Sequence, residues 1–326
     1  MLFVSLQPKK NINCLVVKNL NQINRSLFQN PIVTIGIFDG VHKGHLKIIE
    51  TVKQRATEKN GESVVLTFWP HPRVILYPEK EIKLLSALDE KIELITKTGI
   101  DHLVVISFTI EFSKLSVEEF IQKVLIEKIG IVHFVIGFDN HIGHNREGGF
   151  EVIKKYGEKY NFGVEQLNAV FVDSERISSS NIRNALEQGN IEKTAMFLGY
   201  RYFITGHVVR GKNIGRQLGF PTANIQPGDH KIIPAVGVYA VLVTFEGKKY
   251  QGMLNIGYRP TFEQTPVNKT IEVHIIDFEG DLYNKEISVT FVSRIRDEKK
   301  FKGIDELTAQ LNRDKQEIIK ILGNKL

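Results

Sequence analysis

A chain of 326 residues, 42% hydrophobic and 25% charged, holds enough apolar material for two globular domains and is neither a disordered nor a fibrous polypeptide. Its single cysteine, Cys14, excludes an internal disulfide and fits a reducing compartment, so the cytoplasm is the expected location. The formal charge of +6 would suit nucleic acid or phosphorylated small molecules, but its lysines are scattered rather than clustered with aromatic residues, which reads as a solvated basic surface rather than a polynucleotide track and stays compatible with phosphorylated small substrates.

The start, Met1 to Pro8, lacks a basic segment followed by an apolar signal core, and no later apolar run is long enough to span a bilayer. Neither secretion nor membrane insertion is expected. Ile32, Val33 and Ile35 read as a buried strand, and Leu46, Ile49 and Val52 recur at helical spacing. Between them lies Thr34-Ile35-Gly36-Ile37-Phe38-Asp39-Gly40-Val41-His42-Lys43-Gly44-His45, which puts two histidines at a helix N-terminus. Unpaired backbone N–H groups there favour anions, and Gly36, Gly40 and Gly44 let the main chain approach a ligand closely. His42 and His45 can then donate hydrogen bonds to phosphate oxygens whose charge grows as a phosphoanhydride breaks. Taken alone, a His-x-x-His pair also fits an ordinary helix cap or part of a metal site. Zinc, however, wants three or four ligands, and no cysteine lies near enough to suggest one.

Further strands are expected at Ser63 to Phe68, Leu103 to Phe108, His133 to Gly137 and Val164 to Val172. Helices are expected around Glu90 to Thr98, Val117 to Ile129 and Phe150 to Tyr160. This alternation predicts a parallel sheet with helices on both faces and ligands beyond the carboxyl ends of its strands. Trp69-Pro70-His71-Pro72-Arg73 follows one strand end and brings His71 toward that crevice, although the prolines alone would explain a turn. The polar run Gly137 to Gly148 follows another and reads either as a ligand loop or as a long surface loop. Arg176-Ile177-Ser178-Ser179-Ser180-Asn181-Ile182-Arg183 puts hydroxyls at a helix start, where they cap the helix or, with two arginines, hold ATP phosphates.

Gln188 to Leu198 reads as the lead from one domain into the next. Beyond it, strand patterns at Tyr202 to Val209, Val238 to Phe245, Tyr250 to Ile256, Thr270 to Asp277 and Ile287 to Val292 follow one another without helices, predicting an antiparallel β domain. A final helix from about Ile304 to Ile321 offers Leu307, Leu311, Ile318 and Ile319 for a packed face. Gly206 to Asn213 nearly matches a phosphate-binding P-loop, but Asn213 replaces the required hydroxyl and no amphipathic helix follows. The glycines, basic residues, Thr222 hydroxyl and Asn224 carbonyl of this region suit phosphate and magnesium, or else form a hairpin loop without ligand. On the strand from Thr270, alternation puts Glu272 and His274 on a polar face opposite Ile271, Val273 and Ile275, so Glu272 is either a general base or a solvated side chain.

At these residues the chain resembles the bacterial bifunctional riboflavin kinase/FAD synthetase family from about Pro31 to Asn312. The resemblance is carried by Gly36 to His45, Thr67 to Pro72, Ile177 to Arg183, Gly215 to Asn224, Asn255 to Phe262 and Glu272 to Phe278. It implies an α/β nucleotidyltransferase domain with a Rossmann-like parallel sheet over 1–186, acting as an FMN adenylyltransferase. An all-β six-stranded flavokinase barrel with a C-terminal helix would occupy 187–326 as the riboflavin kinase. Riboflavin, FMN and ATP would be the small-molecule partners, with Mg2+, FAD as product, no nucleic acid, no membrane, and a monomer or weak homo-oligomer.

By the same resemblance His42, His45 and Glu272 would be catalytic, the histidines on the α-phosphorus of ATP and Glu272 on the ribityl hydroxyl of riboflavin. Gly36, Phe38, Asp39, Gly40, Gly44, Ser179, Ser180 and Arg183 would hold ATP in the adenylyltransferase, and His71, Pro72, Asp139, Asn140 and Arg146 the flavin. In the kinase Gly206, Gly211, Lys212, Gly215, Gly219, Pro221 and Asn255 would bind ATP, with Thr222 and Asn224 on the metal. Where the family often has Asp-Phe-x-Phe-Gly, this chain has Asp139-Asn140-His141-Ile142-Gly143, a departure that bears on the contacts of Asn140 and Ile142. Two other readings are weighed against this one: a nucleotidyltransferase for a different phosphorylated metabolite with a regulatory β domain, and an RNA-binding barrel.

Overall fold

The computed structural model describes residues 14–144, 147–211, 215, 218–258 and 269–323. Arg146 and Lys212, both expected ligand residues, lie outside them, as does Arg259 to Phe262. Packing divides the chain into one unit of residues 1–82 with 88–177 and a second of 83–87 with 178–326.

The first unit is built on a parallel sheet of β1 (Leu15–Val17), β2 (Ile32–Ile35), β3 (Ser63–Trp69), β4 (His102–Ser107), β5 (His133–Gly137) and β6 (Gly163–Leu167), in the order β1-β4-β3-β2-β5-β6. Both faces are covered, which explains why the strands read as apolar runs rather than as alternations. Val64 and Leu66 of β3 pack on the face that holds Val117, Ile121 and Val124, whereas Val65 packs on the opposite face with Ile49 and Ile95. Those partners belong to α1 (Lys43–Glu58), α3 (Leu88–Thr96) and α5 (Val117–Phe120), the last running on as a π-helix from Ile121 to Ile129. Short α2 (Pro72–Leu76) and α4 (Ile110–Ser113) follow β3 and β4, and α6 (Phe150–Tyr160) precedes β6.

Strand order reverses between β2, which continues through α1 into β3, and β5 on its other side. The crevice beyond these two strand ends is the topological switch point of the sheet, where such folds bind ligands. One expected strand is corrected. Val164 to Val172 is two pieces, β6 and the separate β7 (Phe171–Val172), which pairs with β8 (Glu175–Arg176) in its own two-stranded ribbon.

In the second unit, β9 (Phe203–Val209), β10 (Ala223–Pro227), β11 (Gly237–Phe245), β12 (Lys248–Tyr258), β13 (Lys269–Ile275) and β14 (Glu286–Arg296) close into an antiparallel barrel, ordered β10-β13-β12-β11-β14-β9. Helices α7 (Ser179–Glu187) and α8 (Ile191–Leu198) lead into it, so the segment expected merely to connect the domains contains a helix, capped by Asn190. The final helix, α9 (Ile304–Leu322), lays Ile318 and Leu322 against Val238, Ala240, Leu242 and Met253. Ile319 does not share that face. It is 42% exposed, because one residue along a helix turns the side chain by about 100°, away from the barrel.

Candidate functional site

His42 caps α1, and its Nδ1 accepts the His45 backbone N–H at 3.4 Å. The two rings stack at 3.6 Å between centroids and 14° between planes, and Phe38 closes edge-on against His45 at 5.0 Å. Gly44 lets the stack sit close, since a Cβ there would lie 3.1 Å from two His42 ring atoms and press on that ring. The preceding turn is held tightly. Phe38 and Val41 adopt φ of 50° and 38°, a left-handed conformation that is costly for a β-branched residue, and Gly40 lies at 79°. Asp39 is buried beside them. Burial, reinforced by the nearby His42 and Lys91 charges, holds His45 well below the ordinary imidazole range, so the ring is neutral; its Nδ1 is buried without a hydrogen-bond partner.

No acidic residue lies in the first turn of α1, while Lys43 and Lys47 line an open groove of about 680 Å³ with Leu167, Asn168, Ala169 and Val170. A helix N-terminus with two lysines and no carboxylate is a setting for phosphates. Three residues beyond β5, the Asn140 amide donates to the Ile35 carbonyl at the end of β2 at 2.6 Å, tying the loop after β5 to the switch point. Asp139 pairs with Arg176 at 2.6 Å, and that guanidinium also lies 5.8 Å from the centre of the exposed Phe138 ring. His71 is buried as the cap of α2, accepting from the Arg73 N–H at 3.1 Å, with Pro72 at the first helical position. Gly36 packs under the Phe38 ring.

Ser178 caps α7, accepting from Asn181 at 3.2 Å, so Ser179 and Ser180 open that helix as expected. They belong to the second unit, where Arg183 donates to the Lys83 carbonyl at 2.7 Å.

The barrel assembles a row across three strands. In register, Glu272 of β13 lies opposite Asn224 of β10 on one side and opposite Asn255 of β12 on the other. Directly opposed residues share a face, so these three polar side chains gather at one level. Thr222 donates to the Glu272 carboxylate at 3.4 Å. Gly211 leaves room for the Asn224 side chain: a Cβ would come within 2.1 Å of its amide nitrogen, so a larger residue there would push that amide aside. Gly215 accepts from Phe220 at 2.8 Å in the turn before Pro221, with Gly219 at φ 79°. Gly206 sits within the barrel wall in β9, its backbone pressed against the Gln226 carbonyl. His274 departs from the expected open polar face. It is buried edge-on against Phe220 at 5.3 Å, with Nδ1 donating to the Pro221 carbonyl at 2.9 Å, and thereby fixes the loop that carries Thr222. Burial keeps this imidazole below its ordinary range.

Sequence reasoning misses two participants, the groove wall at Leu167 to Val170 and Lys91, and the anchoring role of His274, which it places on an open polar face. Lys91 is a fully buried lysine whose ammonium lies beneath the histidine loop. In sequence each resembles an ordinary strand end or a solvated charge. Among the described residues no group of three or more His, Cys, Asp or Glu side chains is placed to hold a metal, so any cation in the barrel relies on hydroxyl and amide oxygens beside one carboxylate.

Comparison with known proteins also divides the chain in two, with the first match running four residues past the packing boundary at Ile177 and taking in residues 83–87. The FAD synthetase family model matches residues 25–181 and the riboflavin kinase model residues 198–322. The bifunctional riboflavin kinase/FMN adenylyltransferase of Bacillus subtilis is 40% identical over 295 residues, covering 90% of this chain and 93% of its own. That of Listeria monocytogenes is 39% identical over 289 residues, 88% of this chain and 91% of its own, and that of Escherichia coli K12 is 33% identical over 300, with 92% and 95% covered. A crystal structure described as a macrolide-efflux protein from Streptococcus pneumoniae superposes with a TM-score of 0.83 at 30% identity, covering 93% of this chain and 98% of that one. The efflux description belongs to that protein; among the described residues here no helix is long and apolar enough to cross a membrane.

Proposed function

The chain belongs to the bifunctional riboflavin kinase/FMN adenylyltransferase family, and on that premise we propose how its two units divide the work. Riboflavin is phosphorylated by ATP to FMN, and FMN is adenylylated by a second ATP to FAD and pyrophosphate. The observation that carries this reading is the presence, in one chain, of a stacked histidine pair capping α1 at a sheet switch point and of the Asn224–Glu272–Asn255 row on a barrel. The adenylyltransferase is assigned to 1–186 and the kinase to 187–326, each enclosing its family match.

In the barrel, Glu272 takes the proton of the ribityl 5′-hydroxyl as its oxygen attacks the γ-phosphorus of ATP, and ADP leaves. The oxygens of Thr222 and Asn224, with Glu272 adjacent, are the hard donors that magnesium prefers. When bound there with the ATP phosphates, the ion would offset their charge. Gly206, Gly211, Lys212, Gly215, Gly219, Pro221 and Asn255 are assigned to ATP. In the first unit, a phosphate oxygen of FMN attacks the α-phosphorus of ATP. The bond to the β-phosphate breaks, and the neutral His45 and its partner His42 donate hydrogen bonds to the oxygens that gain charge. The groove beside Lys43 and Lys47 suits the nucleotide, and Gly36 to Gly44 wrap its phosphates. Ser179, Ser180 and Arg183, which belong to the second unit, keep their assignment to ATP on their motif alone. His71, Pro72, Asp139, Asn140 and Arg146 are assigned to the flavin. No covalent enzyme intermediate is invoked.

The reading carries with it a cytoplasmic monomer or weak homo-oligomer that binds riboflavin, FMN and ATP rather than nucleic acid or membrane. It is tested by chromatography of flavins after incubating the purified chain with ATP, magnesium and either riboflavin or FMN. FAD from both substrates is expected. No turnover of either flavin would overturn the assignment in favour of another phosphorylated metabolite.

A further inference from the structure

Lys91 lies on α3, outside every sequence motif of the two sites, yet its side chain is 1% exposed. Its ammonium donates to the Ile37 carbonyl at 2.9 Å and to the Phe68 carbonyl at 3.4 Å, and it lies 5.5 Å from the centre of the Trp69 ring. A second donor reaches the same Ile37 oxygen, the Thr67 hydroxyl at 3.1 Å. Ile37 immediately precedes Phe38, the first residue of the strained Phe38–Val41 turn. Taking an ammonium out of water costs several kcal/mol unless it is well paired, whereas an apolar side chain would fill this site without that penalty. What the lysine supplies in exchange is a two-ended tie between the start of the histidine loop and the end of β3.

We propose that Lys91, with Thr67 as the lesser partner, is a positioning residue for adenylyl transfer, holding the Ile37 carbonyl so that the strained turn aims the stacked histidines at the reacting phosphate. Strain of this kind persists only where the surroundings over-determine it, and the double donation to Ile37 is what does so here. Burial also lowers Lys91 to about 8, opposed by the Asp39 carboxylate, so at neutral pH the group is still predominantly cationic and its charge helps keep His45 neutral. The inference rests on the adenylyltransferase reading of this unit.

Lys91→Met, which keeps the length and removes the donor, is the decisive variant, measured for FMN-to-FAD turnover and, in the same preparation, for riboflavin-to-FMN turnover. Because the lysine acts on the aim of the histidines rather than on substrate, kcat for FAD formation should fall about 30-fold or more, with KM for FMN and ATP within about threefold and kinase activity unchanged. Lys91→Arg, which keeps a cationic donor, should retain more of the rate than Lys91→Met. A Lys91→Met enzyme within about threefold of the parent in kcat overturns the proposal. Should Lys91→Met fail to fold, Thr67→Val decides: a loss of about fivefold in kcat alone is expected, and parental activity refutes the tie. Absence of FAD formation in the parent chain would instead refute the adenylyltransferase reading itself.

Discussion

Two imidazoles stacked at 3.6 Å cannot both be charged without strong repulsion, and burial already holds His45 neutral. Neutral rings still donate one N–H each, and such donors matter most when the acceptor gains charge in the transition state. His45→Ala should therefore reduce FAD formation by about 100-fold or more while leaving FMN formation from riboflavin intact, and Glu272→Ala should do the reverse when FMN is supplied. Loss of both products from either variant, with the fold preserved, would contradict the two-site assignment. Burial also sets a pH dependence of stability. His45, His133 and His274 all fall below their ordinary value of 6.5, so below that pH the unfolded chain binds protons that the folded chain resists. Their unfavourable contribution is absent above pH 6.5 and grows as pH falls toward 5, so urea midpoints should drop over that window; a flat profile would argue that these rings are solvated. The histidine pair is legible in sequence because glycines and a strand-to-helix change bracket it. Lys91 is not, since Glu90-Lys91 on an amphipathic helix carries no mark that distinguishes a buried ammonium from a solvated one.

Strands buried on both faces, and helices with one apolar stripe, are legible because the period of burial is the period of the element. Elements with mixed composition are not. Ala223–Pro227 completes the barrel as β10, yet Asn224, Gln226 and Pro227 hide it, and its pairing with β9 and β13 is decided by barrel closure rather than local propensity. On α9 the choice between Ile318 and Ile319 as the inward residue depends on the helix's rotation against the barrel, which sequence spacing leaves open. Ile318→Ala should cost the second unit about 2–4 kcal/mol, whereas Ile319→Ala should stay within about 0.5, read from denaturant midpoints. The same helix is pinned by Asp314, 1% exposed, which receives Arg296 at 3.0 and 2.7 Å and Gln310 at 2.7 Å. Removing one member strands the other, so Asp314→Ala should destabilise this unit by about 3–5 kcal/mol, and Arg296→Met with Asp314→Leu should recover much of that loss. A near-neutral Asp314→Ala would show that water reaches Arg296.

At the scale of the whole chain, each unit has its own set of groups proposed for phosphate: the helix cap with its lysine-lined groove in one, the oxygen-donor row in the other. If the two chemistries are independent in this sense, the intermediate FMN need not stay on the chain that made it. An equimolar mixture of His45→Ala and Glu272→Ala chains, given riboflavin, ATP and magnesium, should then accumulate FMN first and afterwards convert it to FAD, with a final rate near half that of the parent at equal total protein, because half the chains carry each intact site. A lag that shortens as protein concentration rises is the signature of free FMN, since its build-up depends on kinase concentration. If instead FMN builds up only to the concentration of His45→Ala chains and no FAD follows, FMN is not released by the chain that makes it, and the independence of the two chemistries is overturned.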